Sequence, residues 1–327
     1  MGRRIVNNLL SKLDIHPVLI DVGASGTRPE IWEAIARHSI YVGFDPDDRD
    51  LQEVRNGRYY REIIVNRALT DDEESNTVLF YLTKSPACSS TLKPDSESLS
   101  HYLFSDLFIV EKEQMVVASS LNSIVDRLLL PGIDWFKTDS QGTDLRLFKS
   151  LKEEICAKIL AVDIEPGLID TYVGEDLFVE AHKEFSRSGF WLASLDVEGA
   201  VRMKRSTLSE VQSWDSDISR DLIEKTVKKS PGWVNARYFR TLEWLAQGDF
   251  SQRDYVLLWL FSILEHQVGF AFDLVVEYER GFGRDDICQL MRDECVLQLR
   301  QLRRRIPALA KSLIPVRIKQ LIKRIIF

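Results

Sequence analysis

A short apolar run followed by a glycine turn constrains the fold of this chain more than any other feature. The run VLIDV occupies residues 18–22, the turn GASG occupies 23–26, and a second run, IYVGF at 40–44, ends at Asp45. Short continuous apolar runs are typical of buried parallel strands, and glycines bracket turns where the backbone approaches a ligand closely. The sequence therefore predicts a strand, a turn, a helix and a second strand that form half of a nucleotide-binding sheet.

Two carboxylates indicate which nucleotide binds. Asp45 follows Gly26 by about 20 residues, where a carboxylate can accept hydrogen bonds from both hydroxyls of an adenosyl ribose. A dinucleotide site holds its pyrophosphate with G-x-G-x-x-G at a helix N-terminus. The turn at 23–26 lacks that spacing, and Asp21 would repel a phosphate but attract the ammonium of a sulfonium amino-acid cofactor. We therefore predict S-adenosylmethionine rather than NAD, with an ordinary tight turn as the alternative.

Three further segments fall in the order and spacing of one methyltransferase family. They are REIIVNRALTDD at 61–72, SPACSSTLKPD at 85–95 and DWFKTDSQGTDLRLFKSL at 134–151. The chain resembles the FkbM-type methyltransferases over about residues 1–200. The resemblance implies a class I, Rossmann-like fold and transfer of a methyl group from S-adenosylmethionine to a hydroxyl oxygen, often on a sugar or another natural-product scaffold.

The chain departs from the family in the motif of the fourth strand. Family members usually carry Asp-x-Glu-Gly, whereas this chain has DSQG from Asp139 to Gly142, with Gln141 in the acidic position. A literal DVEG occurs at 196–199, but it ends a later strand and we interpret it as unrelated to the site. The loss of the acidic neighbour supports an alternative function, a catalytically weak or inactive Rossmann-like module for binding or assembly in a glycan biosynthesis complex.

Open α/β sheets bind ligands beyond the carboxyl ends of their strands, which places several residues around the cofactor. The predicted cofactor-binding residues are Asp21, Gly23, Ala24, Ser25, Gly26, Asp45, Ala68, Leu69, Asp71, Ser89 and Ser90. The resemblance places Ser89 and Ser90 at a Ser-Ser pair of the family. Asp71 follows the third strand, where it could receive the adenine amine, although residues 71–74 also fit an exposed acidic turn.

Asp139 and His101 are the candidate catalytic bases. The base has only to take the hydroxyl proton, because the sulfonium already supplies electrophilicity. Asp139 ends the fourth strand, and its alternative role is to cap the helix that follows. His101 lies in a polar segment at 84–106 that we predict to be a lid or substrate loop, and an imidazole titrates near neutral pH. No spacing of histidines or carboxylates is specific for a metal, so none is predicted.

The alternation of strands and helices predicts an α/β fold with a mostly parallel sheet, followed by an all-helical C-terminal lobe. Strands are expected at 18–22, 40–44, 62–66, 77–83, 107–117, 135–139, 158–164 and 190–196. Helices are expected near 29–37, 47–55, 119–129, 143–152, 175–188, 214–229, 234–247, 252–267, 270–280 and 284–305. These patterns predict an S-adenosylmethionine-binding domain at 1–200, a helical domain at 201–305 and a basic amphipathic tail at 306–327.

The tail differs in charge from the rest of the chain. Nine basic residues and no acidic residue follow Glu294, although the net charge of the chain is −7. After Pro315, the apolar residues Ile318, Leu321 and Ile322 recur at helical spacing between basic ones. This pattern predicts a helix that lies on an anionic membrane surface. The alternative is a helix that docks on the acidic body of the chain or on another subunit.

Composition limits the compartment and the partners. The four cysteines form no C-x-x-C pair, no run reaches membrane-spanning length and no signal peptide is visible, so we expect a cytoplasmic protein, peripheral at the inner face of the membrane if the tail binds there. The acidic body disfavours nucleic acid as a partner. The expected acceptor is a glycan, a glycolipid precursor or a related metabolite, and the sequence leaves open whether the chain forms a homo-oligomer.

Overall fold

A seven-stranded sheet is the centre of the fold. The structure is a computed structural model that describes residues 3–24, 28–47 and 57–313. Its strands are β1 (Val18–Val22), β2 (Ile40–Phe44), β3 (Arg61–Val65), β4 (Ala68–Leu69), β5 (Thr77–Thr83), β6 (Val110–Ser119), β7 (Trp135–Thr138), β8 (Ala161–Ile164), β9 (Phe190–Ala200) and β10 (Ser230–Arg240). The large sheet has the order β3-β2-β1-β7-β8-β10-β9, and a small sheet has the order β4-β6-β5.

The large sheet is mostly parallel. Its strands β3, β2, β1, β7 and β8 run in one direction, whereas β10 is antiparallel to both β8 and β9. Within the large sheet the parallel strands follow the order 3-2-1-4-5 of doubly wound sheets. The prediction of an α/β fold with a mostly parallel sheet is confirmed, and the architecture is compatible with a Rossmann-like fold.

Helices connect most of the strands and form the C-terminal part of the described chain. They are α1 (Arg3–Lys12), α2 (Ser96–Leu99), α3 (Leu121–Arg127), α4 (Asp144–Lys149), α5 (Glu153–Cys156), α6 (Phe178–Arg187), α7 (Arg205–Trp214), α8 (Arg220–Thr226), α9 (Leu242–Gln247), α10 (Gln252–Leu264), α11 (Val268–Phe282) and α12 (Asp286–Leu313). The helix predicted at 29–37 is instead a pair of 3₁₀ turns, Glu30–Ala34 and Ala36–His38. The helix predicted at 47–55 falls largely outside the described residues.

The main core lies between one face of the large sheet and the helices α3, α4 and α6. Side chains at alternate strand positions belong to this core, among them Ile20, Phe136 and Val162. Leu147 of α4 and Phe185 of α6 pack with them. This face is therefore mostly apolar, and the charged residues Asp21, Lys137, Asp163 and Arg237 of the same strands lie on the opposite face.

The helical part of the chain begins later than the sequence predicts. The helix expected at 234–247 is wrong over most of its length, because β10 occupies that segment and pairs with β8 and β9. Val234 and Tyr238 are buried in the core as alternate strand residues. The chain divides into two compact units, residues 10–250 and residues 1–9 with 251–327.

The second unit contains the long helices α10, α11 and α12. All eight residues from Val256 to Ile263 of α10 are buried, as expected for a helix that is apolar on every side. The helix α12 continues through Pro307, so the tail boundary predicted at 306 falls inside it. The predicted membrane-binding stripe at 318–325 lies outside the described residues. None of the described helices combines the length and the hydropathy that crossing a membrane requires.

Candidate functional site

The strand order places a ligand site beyond β1 and β7. β1 pairs with β2 on one side and with β7 on the other. The strand order therefore reverses between β1 and β7. Open α/β sheets bind ligands at the carboxyl ends of strands at such a point. A cavity, which we call the first cavity, opens at these ends. It is lined by Val22, Gly23, Phe44, Asp45, Pro46, Asp47, Arg67, Ala68, Leu69, Phe80, Pro86, Ala87, Ser89, Thr91, Asp139, Ser140, Gln141, Thr143 and Leu147.

Gly23 brings the backbone after β1 against the backbone after β7. Its φ of +74° is a left-handed conformation, and a Cβ atom at this position would lie 2.1 Å from the carbonyl oxygen of Asp139. The N–H groups of Gly23 and Ala24 both donate to the carbonyl oxygen of Phe44 at 3.0 Å. The described part of the connection to β2 contains 3₁₀ turns and no α-helix. It therefore offers a pyrophosphate neither free N–H groups at these two residues nor a helix N-terminus.

Carboxylates dominate the charge of the first cavity. Asp45 follows β2 and is 5% exposed, and its Oδ1 accepts a hydrogen bond from the N–H of Asp47 at 2.8 Å. Asp139 adds a third carboxylate. Arg67, which donates to the Ser119 hydroxyl at 3.0 Å, is the one cationic side chain of the described wall. The wall as a whole is negative, so it attracts a cation and repels a phosphate.

Asp21 lies outside the described wall of the first cavity, although the sequence analysis predicts it as a cofactor-binding residue. It is 2% exposed, and its carboxylate accepts hydrogen bonds from Lys137 Nζ and from the Tyr41 hydroxyl, each at 2.7 Å. Arg28 donates to the same hydroxyl at 2.7 Å and forms an ion pair with Glu62. Burial lowers the pKa of Lys137, but the charges of Asp21, Asp139 and Asp163, together with the hydrogen bond to Asp21, outweigh burial and raise that pKa. Asp21 is thus the centre of a buried ionic network.

Asp21 also begins a row of alternating charge across the sheet. The strand register pairs Asp21 with Lys137, Lys137 with Asp163, and Asp163 with Arg237. Arg237 donates to both oxygens of Asp163, at 2.7 and 2.8 Å. We call these four residues the charged row. They alternate with the core residues of their strands, so the charged row lies on the face opposite the main core.

Asp139 and Glu165 continue the same face two residues beyond the charged row. The residues before them, Thr138 and Ile164, are register partners, so the two side chains start side by side on this face and line the same cavity. Burial, followed by the charge of Asp139, raises the pKa of Glu165 well above its usual range. Burial and the neighbouring charge therefore both favour the protonated form of Glu165.

The pair Asp139 and Glu165 lines a second cavity on the charged face of the sheet. Its wall is formed by Arg28, Pro29, Glu30, Lys137, Thr138, Asp139, Asp163, Ile164, Glu165, Ser194, Asp196, Asn235, Ala236 and Arg237. Asp139 also lines the first cavity. Asp139 therefore borders both cavities.

Gln141 orients Asp139. Its Nε2 donates to Oδ1 of Asp139 at 2.6 Å, and its Oε1 accepts from the Tyr172 hydroxyl at 2.8 Å. The backbone of Gln141 has a φ of +57°, and its carbonyl oxygen accepts a hydrogen bond from the Ser90 hydroxyl at 2.7 Å. The amide thus supplies Asp139 with a donor that an ionised glutamate at this position would lack.

The structure argues against the alternative role of Asp139 as a helix cap. α4 begins at Asp144, and it is Asp144 that accepts hydrogen bonds from the N–H of Ser140 at 2.9 Å and from its hydroxyl at 2.6 Å. Burial raises the pKa of Asp144 to about 6, although these hydrogen bonds lower it. Asp144 therefore ties down the turn after β7, and the Asp139 carboxyl group faces the cavities.

Three of the other predicted cofactor residues line the first cavity. Ala68 and Leu69 form β4, and Ser89 lies in the segment after β5. The Ser89 hydroxyl accepts a hydrogen bond from the N–H of Thr83 at 3.1 Å. Leu69 and Phe80 make this side of the wall apolar.

The remaining predicted cofactor residues lie elsewhere. Ser90 is buried and is not part of the described wall, and its hydroxyl donates to the carbonyl oxygen of Gln141 in the turn after β7. Ala24 is buried and is not part of the described wall. Asp71 is exposed in the acidic turn, as its alternative interpretation expects, and it also lies outside the wall. Ser25 and Gly26 lie outside the described residues.

The segment at 84–106, predicted to be a lid or substrate loop, contributes a wall of the first cavity and has a small core of its own. Leu99 and Phe108 pack with Tyr172 in this core. His101 lines an open groove with Tyr102 and Arg202, not either of the cavities that Asp139 lines. The structure therefore places the two candidate bases, His101 and Asp139, in different cavities.

Sequence analysis missed Glu165. The signal that could have found it is the spacing of charges in two neighbouring strands, Lys137 with Asp139 and Asp163 with Glu165. Alternate residues of a strand share a face, so this spacing places four charged groups together.

The described residues contain no group of three or more histidine, cysteine, aspartate or glutamate side chains that could hold a metal ion. Neither the protein-family models nor the curated proteins compared with this chain match it. The resemblance to FkbM-type methyltransferases therefore stays a prediction from the sequence.

Proposed function

We propose that this chain is an S-adenosylmethionine-dependent methyltransferase that methylates a hydroxyl group of a glycan, a glycolipid precursor or a related metabolite. The observation that carries the proposal is the acidic wall of the first cavity at the carboxyl ends of β1, β2 and β7. S-adenosylmethionine brings a sulfonium and an ammonium to such a wall, whereas NAD brings a pyrophosphate. Coulomb attraction therefore favours the sulfonium cofactor.

The residues of the first cavity fit the parts of that cofactor. Asp45 ends the second strand and is placed to accept hydrogen bonds from the ribose hydroxyls. Phe44, Leu69 and Phe80 supply apolar surface for an adenine ring. The absence of a Cβ at Gly23 keeps the backbone after β1 close to that after β7.

The residues of the second cavity fit a hydroxyl-bearing acceptor. The cofactor supplies an electrophilic methyl group when it is bound, so the chain has to orient a hydroxyl oxygen and remove its proton. Asp139 lines both cavities. A base at that position can orient the acceptor hydroxyl and take its proton. Lys137, Asp163 and Arg237 place charged donors and acceptors in the second cavity, and a hydroxyl group can use both.

Titration calorimetry with S-adenosylhomocysteine, S-adenosylmethionine and NAD tests the cofactor. We expect the first two ligands to bind and NAD not to bind. Asp45→Ala should weaken S-adenosylhomocysteine binding about ten- to a hundredfold, because a hydrogen bond to a charged group contributes about 1.5–3 kcal/mol. Asp72→Ala, in the exposed acidic turn, is the matched control and should bind like the unmodified chain.

The outcomes separate the functions. Binding of NAD in place of S-adenosylhomocysteine would overturn the proposal, and equal affinity of a folded Asp45→Ala variant would overturn the role of Asp45. Transfer of labelled methyl groups into free or lipid-linked glycan extracts should accompany binding. Binding without any transfer would support the inactive binding or assembly module instead.

A further inference from the structure

We propose that Asp139 and Glu165 act as one carboxyl pair that holds a single proton, and that this pair takes up the proton of the acceptor hydroxyl. The inference rests on the methyltransferase function proposed above. Asp139 is the member that faces both cavities, and Glu165 acts through it as a positioning residue.

The strand register creates the pair. Thr138 and Ile164 are partners in the parallel ladder of β7 and β8, and neighbouring strands of a sheet lie about 4.8 Å apart. Asp139 and Glu165 are the next residues after these partners, and both line the same cavity. Two ionised carboxylates at that separation repel each other, so a pair of this kind holds one proton between its members.

The surroundings of the pair favour the singly protonated form. The charged or titratable groups on the adjoining elements are Lys137, Asp144, Asp163, Tyr172, Asp196 and Arg237, with Arg28 and Glu30 across the second cavity. Lys137 favours ionisation of Glu165, but burial and the charges of Asp139 and Asp144 oppose it more strongly. Lys137 also forms the ion pair with Asp21. Its positive charge therefore acts on Asp21 as well as on Glu165.

The pair balances the charge of the transfer. Before the reaction it carries one negative charge, which matches the single positive charge of a sulfonium. The hydroxyl oxygen then bonds to the methyl carbon, the electron pair of the broken S–C bond stays on sulfur, and the hydroxyl proton moves to Asp139. The pair ends with two protons and no charge beside a neutral thioether, and the extra proton leaves to water when the products depart.

Infrared spectroscopy of the full-length protein tests the resting state without any ligand. At about pH 8 most carboxyl groups are ionised, and we expect one protonated carboxyl C=O band to persist. Glu165→Gln should remove the band, and Asp139→Asn should lower the pH at which it disappears, because the like charge is gone. Glu175→Gln is the control: burial raises the pKa of Glu175 to about 7, so its proton is largely lost at this pH. Absence of the band, or its persistence in Glu165→Gln, would overturn the proposal.

A calorimetric comparison tests the link to the cofactor charge. Titrations of S-adenosylmethionine and S-adenosylhomocysteine in buffers of different ionisation enthalpy give the protons taken up or released with each ligand. The neutral thioether should take up more protons than the sulfonium, beside which the pair keeps its single proton, and Glu165→Gln should abolish the difference. Equal proton exchange with both ligands in the unmodified chain would overturn the role of the pair in the transfer. If neither ligand binds, the proposed function fails, while the infrared band still decides whether the pair shares a proton.

Discussion

At the scale of single residues, the amide of Gln141 has a hydrogen-bonding role of its own and does more than replace the acidic side chain of the family motif. It donates to Asp139 and accepts from Tyr172, so both ends of the amide are used. A glutamate in its place would bring a third carboxyl group to Asp139 and Glu165. Glutamine in place of the acidic residue of the family motif removes a like charge from a site that already has two carboxyl groups. The sequence argument for an inactive module is weaker for this reason.

Gln141→Glu should destabilise the protein at about pH 8 and much less at about pH 5. At the higher pH the new carboxylate repels Asp139, whereas protonation at the lower pH restores a donor. Thermal unfolding at the two pH values measures the effect. Gln114→Glu, an exposed position on β6 beside Lys112, is the matched control and should change little. Equal melting temperatures for Gln141→Glu and the unmodified chain at about pH 8 would contradict this account.

At the scale of elements, the turn after β1 determines where Asp139 lies. Gly23→Ala should destabilise the fold and weaken S-adenosylhomocysteine binding, because its Cβ would collide with the Asp139 carbonyl oxygen. Gly174→Ala is the control, since Gly174 has a similar φ of +72° and nothing within 4 Å of a Cβ. It should cost only the left-handed strain of about 1–2 kcal/mol. Denaturant unfolding and calorimetry compare the two, and equal losses in both variants would contradict the collision.

The parallel strands could be predicted from the sequence because each is a short apolar run between turn residues. The strand β10, which contains Val234, could not be predicted in this way. It forms a strand because it pairs with β8 and β9, and the residues of the segment itself do not specify those partners. The position of Asp45 could be predicted because this residue directly follows β2. The network around Asp21 depends on Lys137, which is far away in sequence, and only the register of β1 with β7 joins them.

Part of the candidate site could be predicted for the same reason. Asp139 and Asp45 follow strands that the sequence reveals, and ligands of such sheets bind at strand ends. Glu165 was missed because its importance comes from the adjacent strand and not from its own segment. The groove that His101 lines could not be predicted, because the chemistry of a side chain does not determine where the chain places it.

At the scale of the whole molecule, buried carboxyl groups set the dependence of stability on pH. Burial raises the pKa of Asp144 to about 6 and that of Glu175 to about 7. In the unfolded chain these groups titrate near pH 4. Between about pH 4 and pH 7 the folded state therefore binds more protons than the unfolded state, and these two groups make the protein less stable as the pH rises.

Asp144→Asn and Glu175→Gln should each raise the melting temperature at about pH 8, where the buried carboxylates are ionised, and should have little effect at about pH 4. Both amides keep the oxygen that accepts the existing hydrogen bonds, from Ser140 and from the N–H of Thr171. The gain at the higher pH is on the order of 1–3 kcal/mol for each group, since one pKa unit corresponds to about 1.4 kcal/mol. Glu97→Gln, exposed on α2, is the control and should show no such dependence. A gain of equal size at both pH values would contradict the mechanism, because removing a buried charge stabilises only where that charge exists.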